Sequence, residues 1–367
     1  MRLKSLVALL LAVALIFTFV ACGNSSEPAV DNPSSDTISS SEPPPPPTYL
    51  NTLTGEMSLL DKDATTKKPV AVTINNVRVA QQVQCGLDRA DVVFETEVEG
   101  GITRLLALFA DPSDLPKLGT IRSLRVVFAD IAAGMDALLF YHGIDEDYCL
   151  PHLKTLGIFS HQLGYKTDSF REKNGLAYEH RLYTTGEMID GVIESKKPKT
   201  EGSGKTWLNF SETSEKAAPS ADSAINITVP FSGASTTQFI YDETEMKYAR
   251  ARKDVEYVDA LSGNRELFTN LFILQTTITN YDDNYHKNVS LEGGNGYYAS
   301  AGGIIPIKWS KGSSKSNFKF TLADGTPLTV NQGNSYVCIV SKSRKISYEG
   351  KSVEEPDSSA ASNQTAQ

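Results

Sequence analysis

The sequence predicts an α+β or α/β amino-terminal domain followed by an antiparallel all-β carboxyl-terminal domain, and three observations predict it. Between residues 69 and 197, short β-branched runs alternate with segments of helical spacing. From residue 225 the runs become short and strand-like throughout, separated by Gly, Asn and Asp turns. Between these two regions, residues 198–224 are rich in Lys, Ser, Glu, Thr, Pro and Ala and read as a connecting segment.

The chain begins with a leader. Arg2 and Lys4 precede an apolar run over residues 5–20, too short and too early to be a membrane-spanning helix. The run ends at Phe19-Val20-Ala21-Cys22, which resembles a bacterial lipobox with Phe where Leu is usual. Residues 1–21 are therefore expected to be a lipoprotein signal peptide, with Cys22 lipidated as the first mature residue. That places the protein on the extracytoplasmic face of a cell membrane, held by its lipid. Residues 22–50, polar and ending in Pro43 to Pro47, read as a disordered tether. A coil of this length reaches roughly 28 Å.

Removing the leader leaves 33 basic residues against 44 acidic ones, a net charge of −11. Such an acidic body argues against nucleic acid as a partner. Beyond Cys22 only Cys85, Cys149 and Cys338 remain, so a Cys85–Cys149 bridge and three buried thiols are both compatible with the sequence. No CxxC pair, HExxH, Walker A, GxSxG or helix-opening GxGxxG occurs, and no metal or cofactor is expected.

Within the amino-terminal domain, residues 51–197, strands are predicted over 70–74, 92–98, 105–109 and 137–142. Helices are predicted over 124–135 and 186–195, the second capped by Thr185. The carboxyl-terminal domain, residues 225–345, carries strand-like runs at 225–230, 238–241, 247–251, 268–279, 297–300, 304–309, 318–322, 328–330 and 336–340. Residues 346–367 read as a disordered tail. Trp207-Leu208-Asn209-Phe210, inside the connector, is apolar enough to pack onto a domain.

Chemistry concentrates in Phe94-Glu95-Thr96-Glu97-Val98-Glu99-Gly100-Gly101-Ile102-Thr103-Arg104. On a continuous strand Glu95, Glu97 and Glu99 would share one face, where three carboxylates need solvent or cations. Arg104, Arg122 and Arg125 are the expected partners, with Gly100-Gly101 turning Arg104 back beside that face. Gly119-Thr120-Ile121-Arg122-Ser123-Leu124-Arg125 reads as a strand-to-helix junction with Ser123 as the cap, where flanking arginines could also hold an anion. His142 closes a predicted strand ahead of Asp145 and Asp147 and reads as a structural His or as part of a hard-metal or acid/base cluster; His180 is equally open. No catalytic nucleophile is indicated.

These residues carry a resemblance. Val72-Thr73-Ile74-Asn75-Asn76, Gly86-Leu87, Ala90-Asp91-Val92-Val93-Phe94-Glu95, Val98 to Arg104 and Arg122-Ser123-Leu124-Arg125 resemble the amino-terminal domain of the YerB-like bacterial lipoproteins. Tyr241-Asp242, Tyr248-Ala249-Arg250, Asp259, Gly263, Gly294-Asn295-Gly296 and Trp309 resemble that family's carboxyl-terminal domain. The resemblance implies the location and the two-domain layout and transfers no mechanism. Departures fall at Gly143-Ile144-Asp145, at Glu179-His180-Arg181 and at Glu97, which shifts weight onto Glu95, Glu99, Arg104, Arg122 and Arg125.

The expected function is a membrane-anchored binding module whose Glu/Arg cleft takes a cell-envelope ligand, a wall glycan or peptide. The candidate binding residues are Asn75, Asn76, Glu95, Glu99, Arg104, Arg122, Ser123, Arg125, His142 and His180. Two alternatives stand beside it: an envelope scaffold acting through surfaces on protein partners, and an envelope hydrolase or transferase using Glu95 or Glu99 as acid/base.

Overall fold

Runs of β-branched and aromatic residues form the strands, and their alternation decides what each face of the sheet meets. The structure is a computed structural model described over residues 48–59, 65–219 and 222–349, with the backbone of 351–353. The leader, Cys22 and nearly all of the tether lie outside the described residues, as do residues 354–367. Among the described residues no helix is long and apolar enough to cross a membrane.

The amino-terminal segment supplies β1 (Val70–Asn75), β2 (Val92–Glu97), β3 (Thr103–Phe109), α1 (Val126–Gly134), β4 (Leu138–Tyr141), α2 (Cys149–Leu156), β5 (Ser160–Gln162) and α3 (Gly186–Lys196). The carboxyl-terminal segment supplies β6 (Asn226–Pro230), β7 (Thr236–Asp242), β8 (Lys247–Arg252), β9 (Asn270–Thr276), β10 (Gly293–Ser300), β11 (Gly303–Ser310), β12 (Ser335–Ser341) and β13 (Ile346–Tyr348). The first segment is mixed α/β. The second is all-β and antiparallel, except that β9 and β12 pair in parallel.

The large sheet runs through both segments in the order β11, β10, β9, β12, β2, β3, β1, β4, β5. The join is β12 lying parallel to β2, with Cys338 opposite Glu95. A smaller sheet, β8, β7, β6, β13, covers one face. There Val93, Leu105, Leu271 and Tyr336 pack against Ile227, Val229, Phe239 and Phe268, with Ile189 and Val192 of α3. On the other face Phe94, Leu106, Phe272 and Val337 pack beneath α1 and α2, joined by Trp207, Phe318 and Phe320. The connector residues Trp207 and Leu208 are buried, and the indole N–H donates to the Leu53 carbonyl at 2.8 Å.

Several local expectations change. The helix expected from residue 124 begins at Val126, with Arg125 rather than Ser123 at the cap position and no side-chain cap bond. Leu124 is instead committed to a bridge with Ile144, its N–H donating to Gly143. Helix α2 was not expected; Asp145 starts it by accepting from the Tyr148 and Cys149 amides at 3.1 and 2.7 Å. The run 268–279 breaks into β9 and the short strand Ile278–Asn280, and 328–330 forms only a single bridge. Ile346–Tyr348, expected in the tail, is a strand because Ile346 is apolar and β6 offers an open edge. Thr185 caps α3 as expected, accepting from the Met188 amide at 3.1 Å. Cys85, Cys149 and Cys338 are all free and buried, so the bridged alternative is not formed. Burial pushes the Cys85 and Cys149 thiols up to about 12, which suits inert core residues.

Asp91, at the entrance to β2, has a measurable consequence. Its carboxylate accepts from Asn51 Nδ2 at 2.9 Å and the Ala110 amide at 2.7 Å, yet burial raises its pKa to about 6. A folded pKa above the unfolded value of about 3.9 means the fold binds the proton more tightly. This contribution is present below about pH 4 and is lost as pH rises through about 6, in total roughly 3 kcal/mol. The stability gap between wild type and Asp91→Asn, measured by denaturant unfolding at pH 4 and pH 7, should shift in the variant's favour by about that amount. A gap that stays constant across this range rules the assignment out.

Candidate functional site

The candidate residues gather at one end of the large sheet, where β1 and β2 finish and β3 begins, and the pleat divides them between its two faces. Asn75 lies opposite Arg104 and faces the helices, whereas Asn76, just past the strand, turns toward the small sheet. Thr103 and Arg104 part in the same way. The expectation that Glu95, Glu97 and Glu99 share one face therefore fails. The strand stops at Glu97, and a tight turn through Gly100 and Gly101, at φ of 70° and 71°, carries Glu99 over to the side of Arg104.

On the helix side, Glu99 receives Arg125 in two-pronged fashion, Nε to Oε2 at 2.8 Å and Nη2 to Oε1, while Arg104 Nη2 lies 3.5 Å from Oε1. Arg104 is 2% exposed and also donates to the Ser123 carbonyl at 2.8 Å. Ser123 thus contributes its backbone rather than a helix cap. Arg122 donates to the Glu179 carbonyl at 3.3 Å. Burial, then the neighbouring Arg125 charge, lowers the Arg104 pKa to about 9 and also lowers that of Arg122. Although burial opposes it, the Arg125 hydrogen bonds and the Arg104 charge leave the Glu99 carboxyl below its usual range. The Nε atoms of Arg104 and Arg122 are buried without a hydrogen-bond partner.

Two histidines border this cluster. The Asn75 amide lies 2.8 Å from His180 Nδ1, and burial followed by Arg122 lowers the pKa of that ring. His142 Nε2 lies 3.0 Å from Arg171 Nη2, and His142 Nδ1 lies 2.7 Å from the Leu163 carbonyl. An arginine only donates and a carbonyl only accepts, so in these contacts His142 Nδ1 donates and Nε2 accepts. Asp145 turns to its helix cap, so His142, Asp145 and Asp147 do not form the acid cluster that their spacing allowed. Glu97, away from all of these, pairs with Lys287 at 3.1 Å.

On the small-sheet side, Glu95 is 1% exposed and accepts four hydrogen bonds. Asn76 Nδ2 and Thr103 Oγ1 reach Oε1 at 2.8 and 2.7 Å; Thr237 Oγ1 and Tyr336 Oη reach Oε2 at 2.8 and 2.6 Å. The buried Arg250 donates to Asn76 Oδ1 at 2.6 Å and pairs with Glu266 at 2.8 Å, stacked 4.2 Å over the Tyr257 ring. Burial raises the Glu266 carboxyl despite Arg250. Sequence reasoning missed Thr237, Tyr336 and Glu266; Arg250, a cation between two alanines inside a strand, was the available signal.

A neighbouring clamp ties the segments together. The Gly86 amide donates to Asp259, the Ala260 amide to the Gln84 carbonyl at 2.9 Å, and Ser262 to Asp88 at 2.8 Å. Gly86 sits at φ 87°, where a Cβ would lie 2.8 Å from Leu118 Cδ1 and 2.9 Å from the Lys117 carbonyl. Glycine meets both demands.

Fold and site define a class: a mixed-sheet sandwich whose two segments share one sheet and one buried ionic network. The chain belongs to the family described as protein of unknown function (DUF3048), its N-terminal domain matching residues 53–199 and its C-terminal domain residues 227–337. It is 27% identical over 285 residues, 76% of this chain and 83% of the relative, to a Bacillus subtilis (strain 168) protein named as a candidate lipoprotein, YerB. The crystal structure of the YerB protein from Bacillus subtilis is similar with a TM-score of 0.68 at 25% identity, covering 80% of this chain and 96% of that one. The family expected from the residues is the family found, and this chain is a homologue of YerB.

Proposed function

We propose that this protein is anchored by a lipid on Cys22 at the extracytoplasmic face of the membrane, and that its body binds an anionic cell-envelope ligand, a carboxylate of wall peptide, at the arginine cluster. The observation that carries the reading is a charge imbalance. Arg104 and Arg125 both pair with one carboxylate, Glu99, Arg122 lies within electrostatic reach of Glu179 and of that same Glu99, and Arg104 and Arg122 each keep a buried Nε donor without a partner. Buried donors of this kind are costly unless something accepts from them, and guanidinium suits a carboxylate. The carboxyl end of β1 and β4, where the cluster lies, is where mixed sheets commonly bind ligands. Glu99, ion-paired and held ionised, favours binding over acid catalysis.

The test uses the full-length chain in detergent with a soluble wall muropeptide as probe. At 100 times its dissociation constant the probe should stabilise the wild type by about 2.7 kcal/mol. Arg122→Ala should weaken binding about tenfold, the worth of one charge-assisted hydrogen bond. Undiminished binding by Arg122→Ala would overturn the assignment. Palmitate labelling that is lost in Cys22→Ser tests the anchor separately.

A further inference from the structure

The arginine cluster leaves a second feature unused, on the opposite face of the same sheet end. A cleft of about 260 Å³ opens where the two segments meet, between the start of the loop after β1, the turn before β3 and the entrance to β7. That volume is close to the lower limit, about 300 Å³, of small-molecule sites. Glu95 closes its floor, and Arg78 and Arg252 stand among its walls.

The lining has a definite polarity. The protons of Thr103 and Thr237 are committed to Glu95, which leaves the Thr237 oxygen able to accept from a ligand hydroxyl. Gln81 donates its amide to Asn76 at 3.2 Å, so its oxygen is likewise an acceptor. Against these stand donors. Among the described residues neither the exposed Arg78 guanidinium nor the Thr236 hydroxyl has a partner in the protein, and Arg252 makes only a long contact of 3.4 Å to the Ala234 carbonyl. Glu95 is the only carboxylate in the lining, and its four hydrogen bonds already saturate it. The two arginines are therefore not answered from within the cleft.

We infer that this cleft is a second binding site, for a polyhydroxylated anion the size of a single sugar: its hydroxyls donate to Gln81 and Thr237, and its acid group lies between Arg78 and Arg252. The acid group could be a carboxylate or a phosphate, since guanidinium takes both. The site is independent of the arginine cluster, with which it shares no side chain.

Calorimetry on the full-length protein in detergent tests it with three probes: N-acetylmuramic acid, glycerol 1-phosphate and neutral N-acetylglucosamine. At least one of the two anions should bind, and which one does identifies the acid group. Arg78→Ala combined with Arg252→Ala should raise its dissociation constant at least tenfold, and Gln81→Ala should raise it less, while Arg122→Ala leaves it unchanged. Both arginines are surface residues, so the double variant is expected to fold, and an unchanged unfolding midpoint checks that. Binding by neither anion, equal binding of the neutral sugar, or an unaffected double variant would each overturn the proposal. A loss caused by Arg122→Ala that the Arg78→Ala and Arg252→Ala double variant does not reproduce would place the anion at the arginine cluster alone and refute a separate site.

Discussion

Glu95→Ala is expected to destabilise the protein by about 4 kcal/mol, read as a drop in the denaturant midpoint at constant slope. The replacement strands four donors at once: the Asn76 amide and the hydroxyls of Thr103, Thr237 and Tyr336. Tyr336 and Thr103 are 0% and 3% exposed, so neither hydroxyl has a solvent partner ready when the carboxylate goes. Arg250 also loses a neighbouring negative charge. Glu95→Gln should cost less than half as much, because three of the donors are hydroxyls that can rotate to accept from the new amide. A loss below about 1 kcal/mol for Glu95→Ala would contradict this account of the network.

Arg250→Met should cost a similar amount, about 3–5 kcal/mol, for a different reason. Arg250 is fully buried, and its removal leaves Glu266, 2% exposed, without its cation. The sign of the pH dependence follows. Burial already holds the Glu266 carboxyl above its unfolded value, and loss of Arg250 raises it further. A raised folded pKa makes the fold relatively more stable at low pH, so the variant should regain stability as pH falls from neutral toward the ordinary glutamate range near 4.3. Arg250→Met combined with Glu266→Gln should recover part of the loss at pH 7. A double variant no more stable than the single one would show that the buried pair is not the source. Effects at Glu95 and Arg250 should not add, because both act on Asn76.

Strands were legible wherever a run of apolar residues faces a core on both sides: β1, β2 and β3 are buried along their whole length, and their composition says so. Chain direction changes were less legible. Residues 92–98 read as one strand that could run on to Glu99, because nothing before Gly100 signals a stop, yet the turn there decides which face Glu99 serves. The site was half legible for the same reason. Glu99, Arg104 and Arg125 do meet, since their spacing around one turn and one helix start is local. Glu95 was expected to need arginine, but it is satisfied by Thr237 and Tyr336, which lie 142 and 241 residues away. No local pattern encodes partners at that separation. Asn75 and Asn76 read as a pair, and the pleat sends them to different faces. Arg250 was visible as a family-like residue, but its role depends on β8 packing against the large sheet, which periodicity alone does not report.

The parallel pairing of β12 with β2 also bears on how the chain reaches this state. Thr96 and Ile339, hydrogen-bonded across that pair, are 243 residues apart in sequence. Closing so long a loop before any contact rewards it slows folding, and sheets rich in such contacts form slowly. A nascent amino-terminal segment would have β3 beside β2 on one side and a bare, apolar strand edge on the other until β12 arrived. Bare edges of this kind invite aggregation. The large sheet is therefore completed only when β12 reaches β2, and until then that apolar edge must find its partner across 243 residues of chain.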